Sequence, residues 1–464
     1  MDFAPHTDDD LAAMLAAIGK SNLADLYRHI PASLRVRGEL DLPAGRSEDE
    51  VLGALATYAA ANRPATVCFA GGGAYDHYVP AVVGAVISRG ELLTSYTPYQ
   101  PEVSQGMLQA LFEYQTVISE LTGLPVSNAS LYDGGSAVAE AVSMACAATR
   151  RNKAMVSGAL DAPSRQIVRT YGHPRGREVD VVAYDGDGTT PAGDVADDVA
   201  AAVIAQPNSL GVVEDVRTHA EAAHAAGAKL IVKLEPTAVG LLATPGSQGA
   251  DLVIGEGQPL GQGLSYGGPS FGFLACTNDQ VRRLPGRVVG QTVDRRGIRG
   301  YVMTLRAREQ DIRRERATSN ICTNQTLCAV AALVYATWLG PQGLRELATA
   351  CLSRARHAAA RLTQIDGVGL AVSGPFLKEF ALRMQGVDPH VVVSGLLDAG
   401  YLVGPVVPDG PSAGAVMVAV TERRTAAEVE GLADALTEVL RRQRRELVAA
   451  GGPAGGPAAG EAIA

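Results

Sequence analysis

Short apolar runs at 154–156, 179–183, 201–205, 229–232 and 252–254 punctuate the middle of the chain. Between them lie stretches with helical spacing, DAPSRQIVRTYG, DDVAAAV and DVRTHAEAAHAAG. Strand-like runs alternating with amphipathic segments predict an α/β domain built on a mostly parallel sheet covered by helices. In such sheets ligands bind beyond the carboxyl ends of the strands. Two polar loops leave those ends, QPNSLG at 206–211 and EPTAVG at 235–240.

The flanks follow other patterns. Thr7 before DDDLAAMLAAIG, and Ser47 with Glu50 before VLGALATYAAAN, read as N-caps of helices whose early acidic residues suit the positive end of the helix dipole. Residues 1–60 therefore form a helical arm with little to bury on its own, and 61–325 a large α/β domain. From 326 to 447 comes a smaller α/β domain: an apolar helix from Gln325 to about Trp338, a break at GPQG (340–343), a second helix, then alternating strands and helices. The glycine–proline–alanine composition of 448–464 predicts a disordered tail. No apolar run approaches bilayer length, and MDFAPHTDDD lacks the basic-then-apolar order of a signal peptide, so a cytoplasmic protein is expected.

A net charge of −9 argues against a nucleic-acid footprint. The 6 cysteines have no CxxC spacing and read as reduced core thiols, and no metal site is expected. Lysine occurs only at Lys20, Lys153, Lys229, Lys233 and Lys378, so lysine chemistry has few candidates.

Four stretches carry candidate chemistry. ADLVIGEGQPLGQGLSYGGPSFGFLAC (250–276) is a glycine-rich loop between two apolar runs, either a ligand cradle or a flexible connection; after its strand it has no lysine, arginine, histidine or aspartate. YTPYQPEVSQG (96–106) is stiffened by prolines and presents Tyr96, Tyr99, Gln100 and Glu102, as a ligand-facing loop or as a packed turn. In DGGS, Gly134, Gly135 and Ser136 open a helix and offer an anion seat, or an ordinary capped turn. Arginines crowd 282–316, forming a salt-bridged region or a face for an acidic substrate or partner. Asp76, His77 and Tyr78 do not share one helix face, which favours a local structural role.

GGGAYDHYVPAVV, LLTSYTPYQPEVSQGMLQALFEYQTVISELTGL, NASLYDGGSAVAEA, the GEGQ…LG…LSYGGP segment and RGIRGYVMTL…ATSNICTNQ together resemble the glycine-cleavage P-protein family, in particular the α subunit (subunit 1) of its two-chain form. The likeness runs from about residue 4 to residue 445. Arg306, Asp311, Arg316 and Glu235 stand where the family usually has glutamine, histidine, lysine and aspartate.

The resemblance implies a fold-type I pyridoxal-phosphate transferase-like architecture. It also implies an enzyme that, with a β subunit, decarboxylates glycine, releases CO2 and passes the aminomethyl group to the lipoyl arm of the H-protein. A scaffold that only stabilises β or docks the H-protein is the alternative. The implied assembly is α2β2, with pyridoxal phosphate held covalently by β. This chain has no aldimine lysine: a fold-type I lysine belongs in the loop where Glu256, Gln258 and Pro259 stand, and Lys233, one strand earlier, is expected to pair with a helix or loop. On this likeness Tyr96, Tyr99 and Glu102 are the candidate catalytic residues lent to a site shared with β, and Gln100 a substrate contact. Gly134, Gly135 and Ser136 are the candidate cofactor-phosphate seat, retained or degenerate. Arg308, Arg313 and Arg314 are candidates to face the partner or an acidic carrier.

Overall fold

The computed structural model describes residues 5–36, 38, 40–62, 67–193 and 195–449. The chain divides into two compact units, Met1–Pro64 and Ala65–Ala464. In the first, the helices Asp8–Ala17 and Glu48–Ala61 both start with reciprocal capping boxes, Thr7 with Asp10 and Ser47 with Glu50. The second of these helices buries none of its residues and leaves Leu52, Leu55 and Tyr58 exposed. Arg37 and Glu39 of the expected helical arm fall outside the described residues.

The second unit contains the strands β1 (Val67–Cys68), β2 (Val126–Ser127), β3 (Lys153–Ser157), β4 (Glu178–Val182), β5 (Val199–Gln206), β6 (Lys229–Leu234) and β7 (Leu252–Glu256). They are followed by β8 (Gly272–Cys276), β9 (Val288–Val293), β10 (Arg299–Thr304), β11 (Val368–Leu370), β12 (Glu379–Met384), β13 (Tyr401–Leu402) and β14 (Val416–Ala419). Seven strands form one sheet in the order β2-β8-β7-β6-β5-β3-β4. From β7 to β4 neighbours are parallel; β8 runs antiparallel to β7 and β2 antiparallel to β8.

Period-two alternation sends Leu230 and Val232 to one face, against Leu108, Leu111 and Ile118 of the helix Gln105–Thr122, and Ile231 to the other, against Ala137, Val138 and Ala141 of the helix Gly134–Thr149. With both faces covered, central strands are apolar throughout. That corrects the helical reading of DDVAAAV. Its valine and alanines from 199 onward are the start of β5, all 8 residues of which are buried, and burial on both faces overrides the helix preference of alanine.

The three-stranded sheet β11-β12-β14 is antiparallel and is covered by the helices Pro389–Asp398 and Ala426–Ala449. The latter helix carries the first residues of the stretch expected to be a tail, and 450–464 lie outside the described residues. By length and composition the element Thr326–Leu362 could cross a membrane, contrary to the expectation that no run was long enough. Its backbone breaks at Gly340 (φ 62°, ψ 177°), where the sequence placed the end of one helix. Ala329, Ala331, Ala332 and Tyr335 on its first half are buried in the core beside the large sheet.

Candidate functional site

The carboxyl ends of β5, β6 and β7 open into a cavity of about 50 Å³ lined by Gly72, Tyr75, Asp161, Lys233, Glu235, Glu256 and Glu379 among others. That is space for a few waters, against the roughly 300–1,000 Å³ of ligand pockets. Its walls are side chains from three directions: the strand ends, the loop after β1, and β12 of the three-stranded sheet.

Asp133 caps the helix Gly134–Thr149, its carboxylate accepting the Ser136 N–H at 2.7 Å and the Ser136 hydroxyl at 3.2 Å. Glu256, the last residue of β7, accepts the Gly134 N–H at 3.0 Å and is held in turn by the Ser270 hydroxyl and the Gln258 N–H. A helix N-terminus attracts an anion through its free N–H groups and dipole; here the chain's own carboxylates are those anions. A Cβ on Gly135 would come within 2.5 Å of Ile167 Cδ1, so this glycine serves close packing on the neighbouring helix. In this chain DGGS forms a turn capped by Asp133 and Glu256.

Glu235 follows β6 and points at Lys378, with Oε1 2.9 Å from Nζ, while its other oxygen accepts the Thr237 hydroxyl at 2.8 Å. Burial opposes ionisation of Glu235, but Lys378, His77 and Thr237 outweigh it and hold its carboxyl below the usual range. Lys378 also lies 3.9 Å from the centre of the Tyr75 ring and 2.8 Å from His77 Nε2. Since Nε2 accepts a hydrogen bond from the ammonium, the proton of the neutral ring sits on Nδ1 and is donated to Glu422 at 2.7 Å. Burial and the nearby Lys378 depress the His77 pKa, in keeping with a neutral ring. Burial raises the Glu422 pKa, but hydrogen bonds from His77 and from the Tyr78 N–H bring it to about 2. The Cys351 thiol completes this cluster, 3.6 Å from Glu422. Glu379 takes the Tyr75 hydroxyl at 2.7 Å and the Gly72 N–H at 2.6 Å, and burial raises its pKa.

The sequence offered Lys378 only as one of five lysines and gave it no role, since it lies far along the chain and at no telling spacing. Lys233 is where it was expected, in a pairing role: Nζ meets Asp161 at 2.5 Å and the Ser164 hydroxyl at 2.9 Å. Asp76 pairs with Arg423 and, at 3.2 Å, with Arg424, so the 76–78 stretch is a structural staple.

The glycine loop is packed at its two ends, around Gly257 and Gly272, while its middle, with Gly263, Ser265, Tyr266 and Gly267, is exposed. A Cβ on Gly257 would come within 2.0 Å of the Phe271 ring, and one on Gly272 within 2.2 Å of the Asp133 carbonyl. Gln258 is buried and ties the loop to Tyr75 through both of its backbone groups.

The YTPYQPE residues lie elsewhere. Tyr96 is 79% exposed and Tyr99 47%, with Gln100 and Glu102 also exposed. None of these side chains lines the cavity. Among the described residues only Tyr99 has side-chain partners, Arg287 Nη2 at 3.1 Å and the guanidinium of Arg306 at 5.1 Å from its ring centre. Arg306 pairs with Asp311 at 3.3 Å, so two of the departures from the family pattern occur together as an ion pair. Arg308 turns inward onto the carbonyls of Leu305 and Gly286, whereas Arg313 and Arg314 stay exposed.

The family model of the glycine cleavage system P-protein matches residues 1–436. A curated relative from Desulforamulus reducens, called probable glycine dehydrogenase (decarboxylating) subunit 1, is 46% identical over 93% of this chain and 98% of its own length. A crystal structure of glycine decarboxylase (P-protein) of the glycine cleavage system, in inhibitor-bound form, superposes with a TM-score of 0.87 at 43% identity, covering 95% of this chain and 100% of that one. The sphingosine-1-phosphate lyase of Burkholderia pseudomallei, at 15% identity over 91% of this chain and 97% of its own, shares the fold with a TM-score of 0.64.

Proposed function

The chain belongs to the glycine cleavage system P-protein family, and we propose that it is the subunit of a two-chain glycine decarboxylase that lends residues to a cofactor site centred on its partner. With that β subunit, in a cytoplasmic α2β2 assembly, it takes part in pyridoxal-phosphate-dependent release of CO2 from glycine and transfer of the aminomethyl group to the lipoyl arm of the H-protein. The cofactor, when bound, supplies an electron sink for the departing carboxylate.

One observation carries the division of labour. The cleft where a fold-type I enzyme keeps its cofactor is filled by this chain's own side chains. Glu256 occupies the anion position at Gly134, and Lys378 stands as the cation facing Glu235, where a pyridinium would otherwise sit. Lys233 is committed to Asp161 and Ser164, and 255–270 contain no lysine. Pyridoxal phosphate does not fit these residues: Glu256 already meets the Gly134 N–H, Asp161 and Glu379 add carboxylates to the same cavity, and Lys233 on its wall is committed to Asp161 and Ser164. These observations support the reading that the cofactor is held by the partner, with the exposed set Tyr96, Tyr99, Gln100 and Glu102 as this chain's contribution to its site.

The scaffold alternative is separated by exchange of label between bicarbonate and the glycine carboxyl group. The reading expects no exchange from either chain alone, full exchange from the pair, and a large loss for Tyr99→Phe or Glu102→Gln with assembly intact. Unchanged exchange in both variants would leave the chain a scaffold.

A further inference from the structure

Arg287 lies at the start of the β9–β10 hairpin, 4% exposed, and its guanidinium joins two segments far apart in sequence. Nη2 donates to the Tyr99 hydroxyl at 3.1 Å; Nη1 donates to Thr323 Oγ1 at 3.2 Å and to Asn324 Oδ1 at 3.3 Å. Asn324 passes the connection on, donating to the Ala129 carbonyl at 2.8 Å and to Ser130 Oγ at 3.0 Å, and the Gln325 N–H reaches the same hydroxyl at 3.1 Å. The Arg287 backbone carbonyl closes the loop by accepting the Ala129 N–H at 2.8 Å. YTPYQPE, NAS and CTNQ thus meet at one buried cation.

Two features of this hub bear on Tyr99. Among the described residues no carboxylate lies within ion-pair distance of Arg287, so its charge is met only by neutral acceptors and by the face of the tyrosine, 5.4 Å from its ring centre. Inside a protein a hydrogen bond from a charged donor is electrostatically stronger than in water. And because the Tyr99 oxygen accepts from Arg287, and no acceptor for its phenolic proton occurs among the described residues, that proton is available to another group and is polarised by a charged donor. Tyr99, 47% exposed, can therefore serve an incoming group as a hydrogen-bond donor.

We propose that Arg287 is a positioning residue of the shared site: it fixes the Tyr99 hydroxyl as a donor to an anionic oxygen, carboxylate or phosphate, brought by the assembled complex. The inference rests on the reading that Tyr99 serves the partner's centre, and goes beyond it by naming what sets the direction of its proton.

The test uses the reconstituted two-chain enzyme with Tyr99→Phe, Arg287→Met and the double variant, each checked for assembly and thermal midpoint. Each single variant should lower kcat/KM for glycine about 10- to 100-fold, the range of a lost hydrogen bond to a charged group. The double variant should fall no more than about twofold below Tyr99→Phe, since residues acting as a unit are not additive. A raised KM for glycine with unchanged cofactor affinity assigns the acceptor to the substrate carboxylate; weakened pyridoxal-phosphate affinity assigns it to the phosphate. Where Arg287→Met fails to assemble, Arg287→Lys keeps the charge but not the fork, and the same non-additivity is expected of it. Multiplying losses in the double variant, or an Arg287 variant with normal kinetics beside an impaired Tyr99→Phe, overturn the inference while leaving the shared site standing. A Tyr99→Phe enzyme with normal kinetics overturns both.

Discussion

Glu256 Oε2 accepts the Gly134 N–H at 3.0 Å, so a donor at the start of the helix Gly134–Thr149 is satisfied from within the chain. Glu256→Ala should release that donor. In chloride buffer the variant should be about 1 kcal/mol less stable than the parent, as for a lost helix cap. Inorganic phosphate should then raise the thermal midpoint of the variant and leave the parent unmoved, because only the variant offers an anion seat in its folded state. Equal responses of the two proteins would show that Glu256 is not the anion at this position.

Lys378 and Glu235 form an ion pair with both side chains nearly excluded from water, 7% and 12% exposed. Removing one member strands the other charge, so Lys378→Met should cost about 3–5 kcal/mol by urea denaturation. Glu235→Met added to it should recover most of that loss. A double variant no more stable than Lys378→Met would mean that the pair is not what the substitution breaks.

Acid should weaken the fold through His77. Its pKa is depressed by burial and by Lys378, so in the folded state the ring stays neutral, while in the unfolded chain it titrates near its ordinary value of about 6.5. Stability from this group is full above that pH and is lost as pH falls toward the folded pKa, because the unfolded chain binds a proton that the folded one refuses. His77→Gln should flatten the slope of unfolding free energy below pH 6.5 by up to about 1.4 kcal/mol per pH unit. Parallel pH profiles for parent and variant would exclude it. Glu422, with a folded pKa of about 2, adds a second loss at lower pH, below the usual carboxylate range.

Gly257 lies under the Phe271 ring, with less room for a methyl group than any real contact allows. Gly257→Ala should be destabilising by about 1–3 kcal/mol, the cost of overpacking a core. A ligand cradle would tolerate the added methyl group in the unliganded chain, so an unchanged unfolding midpoint would restore the open-loop picture.

Much of the scaffold was legible in the sequence because it rests on local signals. The runs that became β3, β6 and β7 were short and apolar, and Thr7 and Ser47 announced their helices by capping chemistry. The helical reading of DDVAAAV failed because alanine's local preference says nothing about burial on both faces of a sheet. The site was half legible. The missing lysine in the 255–270 loop could be read directly, whereas the sequence left the polar set around Tyr99 open between an exposed loop and a packed turn. The pairings of Glu256 with Gly134, Lys378 with Glu235 and Arg287 with Tyr99 could not, since each joins residues more than a hundred positions apart and leaves no periodicity behind.

The division of labour is tested most directly by borohydride reduction of the chain with pyridoxal phosphate, alone and with its partner, followed by peptide mapping of the lysines. The account predicts no stoichiometric label on Lys20, Lys153, Lys229, Lys233 or Lys378 in either sample, and one label per pair on the partner subunit. A stoichiometric adduct on Lys233 or Lys378 of the isolated chain would contradict it.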